Sequence, residues 1–348
     1  VIPAPMLVPV LQGPEPLLLL LVALAVDAGL GGWAPADRVR VLPWRPLHAL
    51  AREIDRRLDR LQRSEATRRA RGYLAAGVMV LLALVAGWVL ATLAARVPQM
   101  RVIELWMLAG AVALRAPWLR VRAVGAALAI RDRDRAHDAV RVLAPGAPGD
   151  LDDHAMVRTA VEALPVVLHR RLVAPALWYL LGGLPGLVLW RTAEVMEASF
   201  GLRTDRHRGF GAGAAGLMRL MDYVPARLTA LTAVLASPFV ATASPRAALR
   251  TAWRDGAKPS LAAGSAWPVA AFAGALGLAL AGPRREGEVV VRAPWIGDGR
   301  ARAEPGDLRR ALLLFVVAGL VTAALLGGAA LAARAGLRGW PQELAWGI

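Results

Sequence analysis

Three stretches of this chain run past 20 residues without a charge, and that constrains its fold more than any motif. Residues 72–95, 259–283 and 311–333 contain no Asp, Glu, Lys or Arg. A hydrocarbon layer about 30 Å thick is crossed by roughly 20 apolar residues at about 1.5 Å of rise each. Four weaker candidates accompany them. Residues 16–33 are apolar until Asp27, residues 102–119 carry Glu104 and Arg115 near their ends, and residues 172–190 and 228–245 are interrupted by Gly or Pro. The expectation is an all-α, polytopic integral membrane protein: one membrane domain over residues 1–348, with five to seven spans. Leu181-Gly-Gly-Leu-Pro-Gly186 is a break signal, so 172–190 is expected to be re-entrant or a broken helix. No basic segment precedes the first apolar run and no small-residue cleavage site follows it, so it is expected to be a retained span.

Composition agrees. Hydrophobic residues make up 57% of the 348, against roughly 45–50% in ordinary soluble domains. The net charge of +16 would suggest nucleic acid in a soluble protein. Here Lys258 is the only lysine among 42 basic residues, and the arginines are spread over nearly every segment between apolar runs. That distribution suits contact with the lipid bilayer and its anionic headgroups, not nucleic acid. Eleven arginines fall within residues 38–71, which predicts a cytoplasmic block by the positive-inside tendency. Leu47, Leu50, Ile54, Leu58 and Leu61 recur there at steps of three and four, the period of an amphipathic helix. A second charged segment, 120–171, contains a helical stretch ended by the breaker run 144–149. The whole reads as a multi-pass protein of a bacterial inner membrane.

The chain has no cysteine, which removes disulfides, thiolate nucleophiles and Cys-ligated metals. Its five histidines show no close pairing. His169, beside Arg170 and Arg171, is expected at an interface and not as a metal ligand.

Two polar segments carry a resemblance. Asp222-Tyr-Val-Pro-Ala-Arg227 and Arg292-Ala-Pro-Trp-Ile-Gly-Asp298 lie between apolar runs. With Val161-Glu162, Ala174-Pro175, Gly201, Gly211, Trp267 and Ala273-Gly-Ala-Leu-Gly277 in the same order, the chain resembles the adenosylcobinamide-phosphate synthases of cobalamin biosynthesis. The resemblance covers about residues 17–333. It departs where Val166-Val-Leu-His-Arg-Arg171 replaces a family run of Glu-Asn-Thr-x-Asp-Gly. Glu194-Val-Met-Glu-Ala198 likewise replaces Asn-Thr-Leu-Asp-Ser, and Ala262-Ala-Gly264 replaces Ser-Pro-Asn.

The resemblance implies ATP-dependent joining of aminopropanol phosphate to adenosylcobyric acid, with the corrinoid as substrate, Mg²⁺ and ATP as cofactors, and other enzymes of the pathway as potential partners. Such a ligation needs oxygen ligands for Mg²⁺, cations for phosphates and an acceptor for the amine proton. By position, Glu197 and Asp222 are the candidate catalytic acids, Glu194 and Glu197 the candidate metal ligands, and Glu162, Arg227, Trp295 and Asp298 the candidate substrate contacts. Plainer roles stand beside these. Arg227 and Trp295 suit a membrane interface, Asp298 suits a Gly-Asp-Gly turn, and Glu194 and Glu197 can pair with Arg191. Two other functions fit the same chain: a non-catalytic membrane scaffold or substrate-holding homologue in the pathway, and a small-solute transporter.

Overall fold

The computed structural model describes residues 14–339, apart from 61, 145–150, 202–206, 208, 259–263, 287–288 and 292. Leu61 of the amphipathic stripe, most of the breaker run, Arg292 and Ala262 lie outside these residues. In chain order the helices are α1 (Glu15–Leu30), α2 (Ala34–Val41), α3 (Arg45–Leu58), α4 (Glu65–Arg96), α5 (Arg101–Ala111) and α6 (Arg115–Ala129). Then come α7 (Arg133–Leu143), α8 (Asp153–Leu168), α9 (Ala174–Phe200), α10 (Ala212–Ala236), α11 (Pro245–Asp255), α12 (Ala266–Leu276) and α13 (Pro305–Gly339). Four short strands separate α12 from α13: β1 (Leu280–Ala281), β2 (Arg284–Glu286), β3 (Val289–Val291) and β4 (Trp295–Ile296). The strands pair antiparallel, β1 with β4 and β2 with β3. This is an all-α membrane protein. Among the described residues, four helical stretches, 65–96, 101–129, 153–200 and 305–333, are long and apolar enough to cross a membrane.

α4 shows why its sequence packs as it does. Its buried face is Gly72, Ala75, Ala76, Met79, Ala83 and Gly87, at steps of three and four, while Leu74, Leu81 and Leu82 are exposed. Small residues let helix backbones approach closely where lipid supplies no hydrophobic drive. A Cβ at Gly72 would lie 1.9 Å from the Phe210 carbonyl oxygen, and one at Gly87 would lie 2.4 Å from Pro185 Cα. α3 lies across the same end of α4 as Phe210. Its core contact is Ala51, flanked by Leu47, Ile54 and Leu58, whereas Leu50 is 39% exposed.

The apolar runs map unevenly onto these helices. Residues 102–119 are divided between α5 and α6, because Val112–Leu114 is not helical. Pro117 lacks the N–H that would continue the helix, and the Leu114 and Arg115 N–H groups donate instead to Asp27 Oδ2 at 2.8 and 3.0 Å. Arg40 donates to the other oxygen of Asp27 at 2.8 Å and to the Val112 carbonyl at 2.6 Å. Residues 228–245 begin inside α10, which ends at Ala236; a 3₁₀ turn, Ser237–Phe239, follows. Among the described residues of 259–283 the helical part is the 11-residue α12, closed by Gly277 at φ 68°. It is about 16 Å long and its side chains are almost all buried, so it is a core helix and not a lipid-facing one.

Residues 172–190 form the break that their sequence suggests. Gly183 has φ 59°, ψ −147°, a region open essentially to glycine. Along an unbroken helix Arg170 and Glu197 would stand about 40 Å apart; their side chains meet at 3.2 Å. The chain therefore reverses at Gly183, and α9 is two antiparallel halves. A Cβ at Gly186 would lie 2.1 Å from the Trp178 carbonyl oxygen, so the closeness of the two halves requires glycine there.

Candidate functional site

The two ends of this hairpin meet in a cluster of charge. Between α8 and α9 the helix widens into a π segment, His169–Val173, a feature frequent at functional sites. It brings Arg170 and Arg171 against the C-terminal half of α9. Arg170 Nη1 donates to Glu197 at 3.2 Å. Arg171 Nη2 lies 3.5 Å from Glu194, which also accepts from Arg191. Glu194 and Glu197 share one helix face, as their spacing predicts, and both are buried. Arg170 and Arg191 are largely buried while the Arg171 side chain keeps 31% exposure. The Trp44 ring lies under the Arg191 guanidinium at 5.7 Å. Nearby on α3, burial and then the charge of Arg191 push the His48 imidazole below its usual pKa.

α10 closes the cluster. Asp222 is 1% exposed and accepts from His169 Nε2 at 2.8 Å; His169 is fully buried, with Nδ1 3.3 Å from the Thr229 hydroxyl. The imidazole stands edge-on to Trp190, 6.1 Å between centroids. Asp222 Oδ2 has no hydrogen-bond partner among the described residues. Gly264, at φ 71°, covers it, and a Cβ there would lie 2.5 Å from Asp222 Cβ.

A second lobe lies along α8, α11, α12 and the strands. Glu162 accepts the Ala281 N–H at 2.7 Å and faces Arg158 Nε at 3.9 Å. The Arg158 guanidinium sits 5.3 Å above the Trp295 ring. Trp295 pairs with Ala281 across β1 and β4. Asp298 is open, its side chain 76% exposed, and accepts from Arg254 Nη1 at 2.9 Å. That hydrogen bond holds the Asp298 carboxyl below the usual carboxylate range. Arg227 is stacked between Tyr223 and Trp267, 3.6 and 4.4 Å from their ring centroids. The guanidinium is held between the two aromatic faces by cation–π attraction, and its Nη1 donates to the Tyr223 carbonyl at 2.5 Å.

The structure thus brings Glu194, Glu197 and Asp222 into one cluster, and Glu162, Trp295 and Asp298 into another. Arg227, five residues after Asp222 on α10, sits at the junction. Sequence reasoning missed four participants. His169 is a buried partner of Asp222, not an interfacial residue, and Arg170 and Arg171 are the counterions of the glutamates. Asp255, with its side chain fully buried, ties the second lobe together. A signal existed for the first three: a His-Arg-Arg run inside an otherwise apolar stretch, where charges are costly unless they pair or serve a site.

The chemistry of the cluster favours anions. Three guanidinium groups contact two glutamates, one more arginine than its direct partners, while the third acid of the cluster, Asp222, is engaged by His169. Mg²⁺ needs several open oxygen ligands, and both glutamates proposed as its ligands are already in contact with arginines. The cluster does not fit a protein-held Mg²⁺. Among the described residues, one group of three metal-type side chains converges, Asp55, Asp59 and His207. It lies beside α3, and Arg68 already neutralises Asp59 at 2.8 Å.

The geometry can be set beside known proteins. The family described as CobD/Cbib protein matches residues 20–315. The cobalamin biosynthesis protein CobD of Brucella suis biovar 1 (strain 1330) is 40% identical over 215 residues, 60% of this chain. That alignment spans 65% of the Brucella protein, just under two thirds of its length. The cobalamin biosynthesis protein CobD of Rhodobacter capsulatus is 33% identical over 310 residues, covering 85% of this chain and 92% of that protein. No solved structure matches. With a match that runs from α1 into α13 and takes in every residue of both clusters, the chain belongs to the CobD/Cbib protein family.

Proposed function

We propose that this protein works in cobalamin biosynthesis and joins aminopropanol phosphate to adenosylcobyric acid by ATP-dependent amide formation. Family membership supports the pathway. The observation that carries the reaction is the arginine excess at the mouth of the α9 hairpin, open to ligand at Arg171.

In such a ligation the corrinoid carboxylate takes the terminal phosphoryl group of ATP and ADP leaves. The amine then attacks the acyl carbon, phosphate departs with the C–O bond electrons, and the amine loses a proton. Arginines held before the reaction stabilise the phosphate charge without reorganising. Arg170, Arg171 and Arg191 take that role, and Glu194 and Glu197 hold them in place. Asp222 holds His169 in the same way. ATP phosphates bring their own Mg²⁺. In the second lobe Asp298 stays ionised at neutral pH, so it can hold the ammonium form of the amine, and once the neutral amine has bonded to the acyl carbon it can take the now acidic N–H proton. Arg227 and Arg158 face the anionic end, with the Trp295 ring backing the Arg158 guanidinium. The site lies at the α3 end of α4, the side read from its arginine density as cytoplasmic, where ATP is present.

One observation favours a second reading. Glu194 and Glu197 are spent on internal pairs and Asp222 on His169, which suits a homologue that holds substrate without ligating it. The assay that separates the two is cobinamide phosphate formation by membranes given adenosylcobyrate, aminopropanol phosphate and Mg-ATP. Product that requires all three supports the ligase; its absence, with corrinoid still bound, leaves the holding role.

A further inference from the structure

Asp255 is the last residue of α11, and its side chain is fully buried. Both carboxylate oxygens are filled. Oδ1 accepts from Arg254 Nε at 3.0 Å and faces Lys258 Nζ at 2.8 Å. Oδ2 accepts from Arg254 Nη2 at 2.9 Å and from the Gly297 backbone N–H at 2.8 Å. The two cations it gathers reach onward to the same turn. Arg254 Nη1 donates to Asp298, and Lys258 Nζ donates to the Trp295 carbonyl at 3.0 Å. One carboxylate therefore fixes the turn between β4 and α13 at three successive points: Trp295 O, Gly297 N and the Asp298 side chain. Backbone pairing holds the segment at either side, Trp295 and Ile296 against β1 and Arg300 against Leu278, and between them Gly297 sits at φ 88° with Asp298 outside any ladder. A Cβ at Gly297 would lie 2.4 Å from the Leu278 carbonyl oxygen.

We infer that Asp255 is the positioning residue that sets the 295–298 turn and so aims Asp298 and Trp295 at the ligand. The catalytic part of this inference rests on the ligase reading; the structural part does not. No other acid can take the place of Asp255. An Asn side chain would turn its NH₂ toward an N–H or an ammonium whichever way it rotated, leaving donors facing donors. A Glu side chain would carry its oxygens past the Gly297 N–H. Burial pushes the Asp255 carboxyl up, but hydrogen bonds from Arg254, Lys258 and Gly297 outweigh it and hold the carboxyl well below the usual range. The clamp is thus closed throughout the neutral range.

The chain has no cysteine, so a single Ala301→Cys variant takes a spin label at an exposed position just beyond the turn. The label in purified full-length protein is expected to be restrained in the parent. It should become clearly more mobile with Asp255→Asn and to a lesser degree with Lys258→Met, which removes one donor and spares the carboxylate. In the ligation assay Asp255→Asn should raise the KM for aminopropanol phosphate roughly 10-fold or more, with a smaller change in kcat, as loss of positioning does. Should Asp255→Asn fail to reach the membrane, Lys258→Met decides by the same two readouts. Unchanged spectra overturn the inference. So does a mobile label with an unchanged KM, because the turn would then be held without aiming anything. A parent that makes no product removes the ligase reading, while the spectra still decide whether Asp255 holds the turn.

Discussion

His169 Nε2 lies 2.8 Å from Asp222 Oδ1, both side chains buried, and this contact ties the π segment before α9 to the middle of α10. Removing one partner strands the other in an apolar surround, at a cost of about 3–5 kcal/mol, whereas replacing both by apolar groups of similar size is often neutral. His169→Phe and Asp222→Leu should each lower the unfolding temperature in detergent. The double variant should recover much of the loss. Additive losses would show that the two residues do not act as a pair.

Gly264→Ala should be damaging for its size. It forces an L side chain to φ 71° and sets its Cβ 2.5 Å from Asp222. The left-handed conformation alone costs of order 1–3 kcal/mol. Thermal unfolding and ligation activity should fall together, and Asp222→Gly in the same chain should relieve the clash. An unaffected Gly264→Ala protein would mean that Asp222 is not covered there.

The hairpin predicts a matched pair of effects. Gly183→Leu places a side chain in a glycine-only conformation, and Gly87→Leu drives α4 into Pro185, where even a Cβ has 2.4 Å. Both should separate the halves of α9 and move Glu197 off Arg170. A short bismaleimide, long enough to replace the span of the Arg170 and Glu197 side chains, should bridge cysteines at 170 and 197 in the parent scaffold and do so less in either glycine variant. Cross-linking at equal yield would place the reversal elsewhere.

Much of this was legible beforehand, and the exceptions share a cause. Charge-free runs are a local property, so the membrane class could be read, as could the break at Leu181–Gly186. The exterior of α12 could not. Its 11 apolar residues match a span in composition, and only the packing of α8, α10, α11 and α13 around it makes it core. Glu194 and Glu197 could be placed on one face from their spacing. Their arginine partners could not, because Arg170 and Arg171 come within reach only once Gly183 folds the chain back on itself. Asp255 was invisible for a similar reason: its partners at 295–298 lie some 40 residues on, across two strand pairings.

The Asp255 clamp sets a pH dependence with a definite sign. Its carboxyl titrates below the ordinary carboxylate value in the folded protein, so it contributes stability that is present above that ordinary value, about 4, and lost as pH falls through the folded value. The spin label at position 301 should stay restrained from neutral pH through the ordinary carboxylate value, about 4, and loosen only as pH falls through the folded value well below it. In Asp255→Asn that transition should be missing. Loosening between pH 5 and 7 would contradict the assignment.

The role proposed for the arginines at the mouth of the hairpin is to bind the phosphates of an amide-forming reaction. It is tested most directly by measuring cobinamide phosphate produced from adenosylcobyrate, aminopropanol phosphate and Mg-ATP by wild-type protein and by Arg171→Gln, the change at the most open of the three arginines. Wild-type protein should give product only when all three substrates are present, and Arg171→Gln should lower kcat/KM by roughly 100-fold, the scale of one lost charge-stabilising group, while still inserting. No product from wild-type protein, or equal product from both, would contradict it.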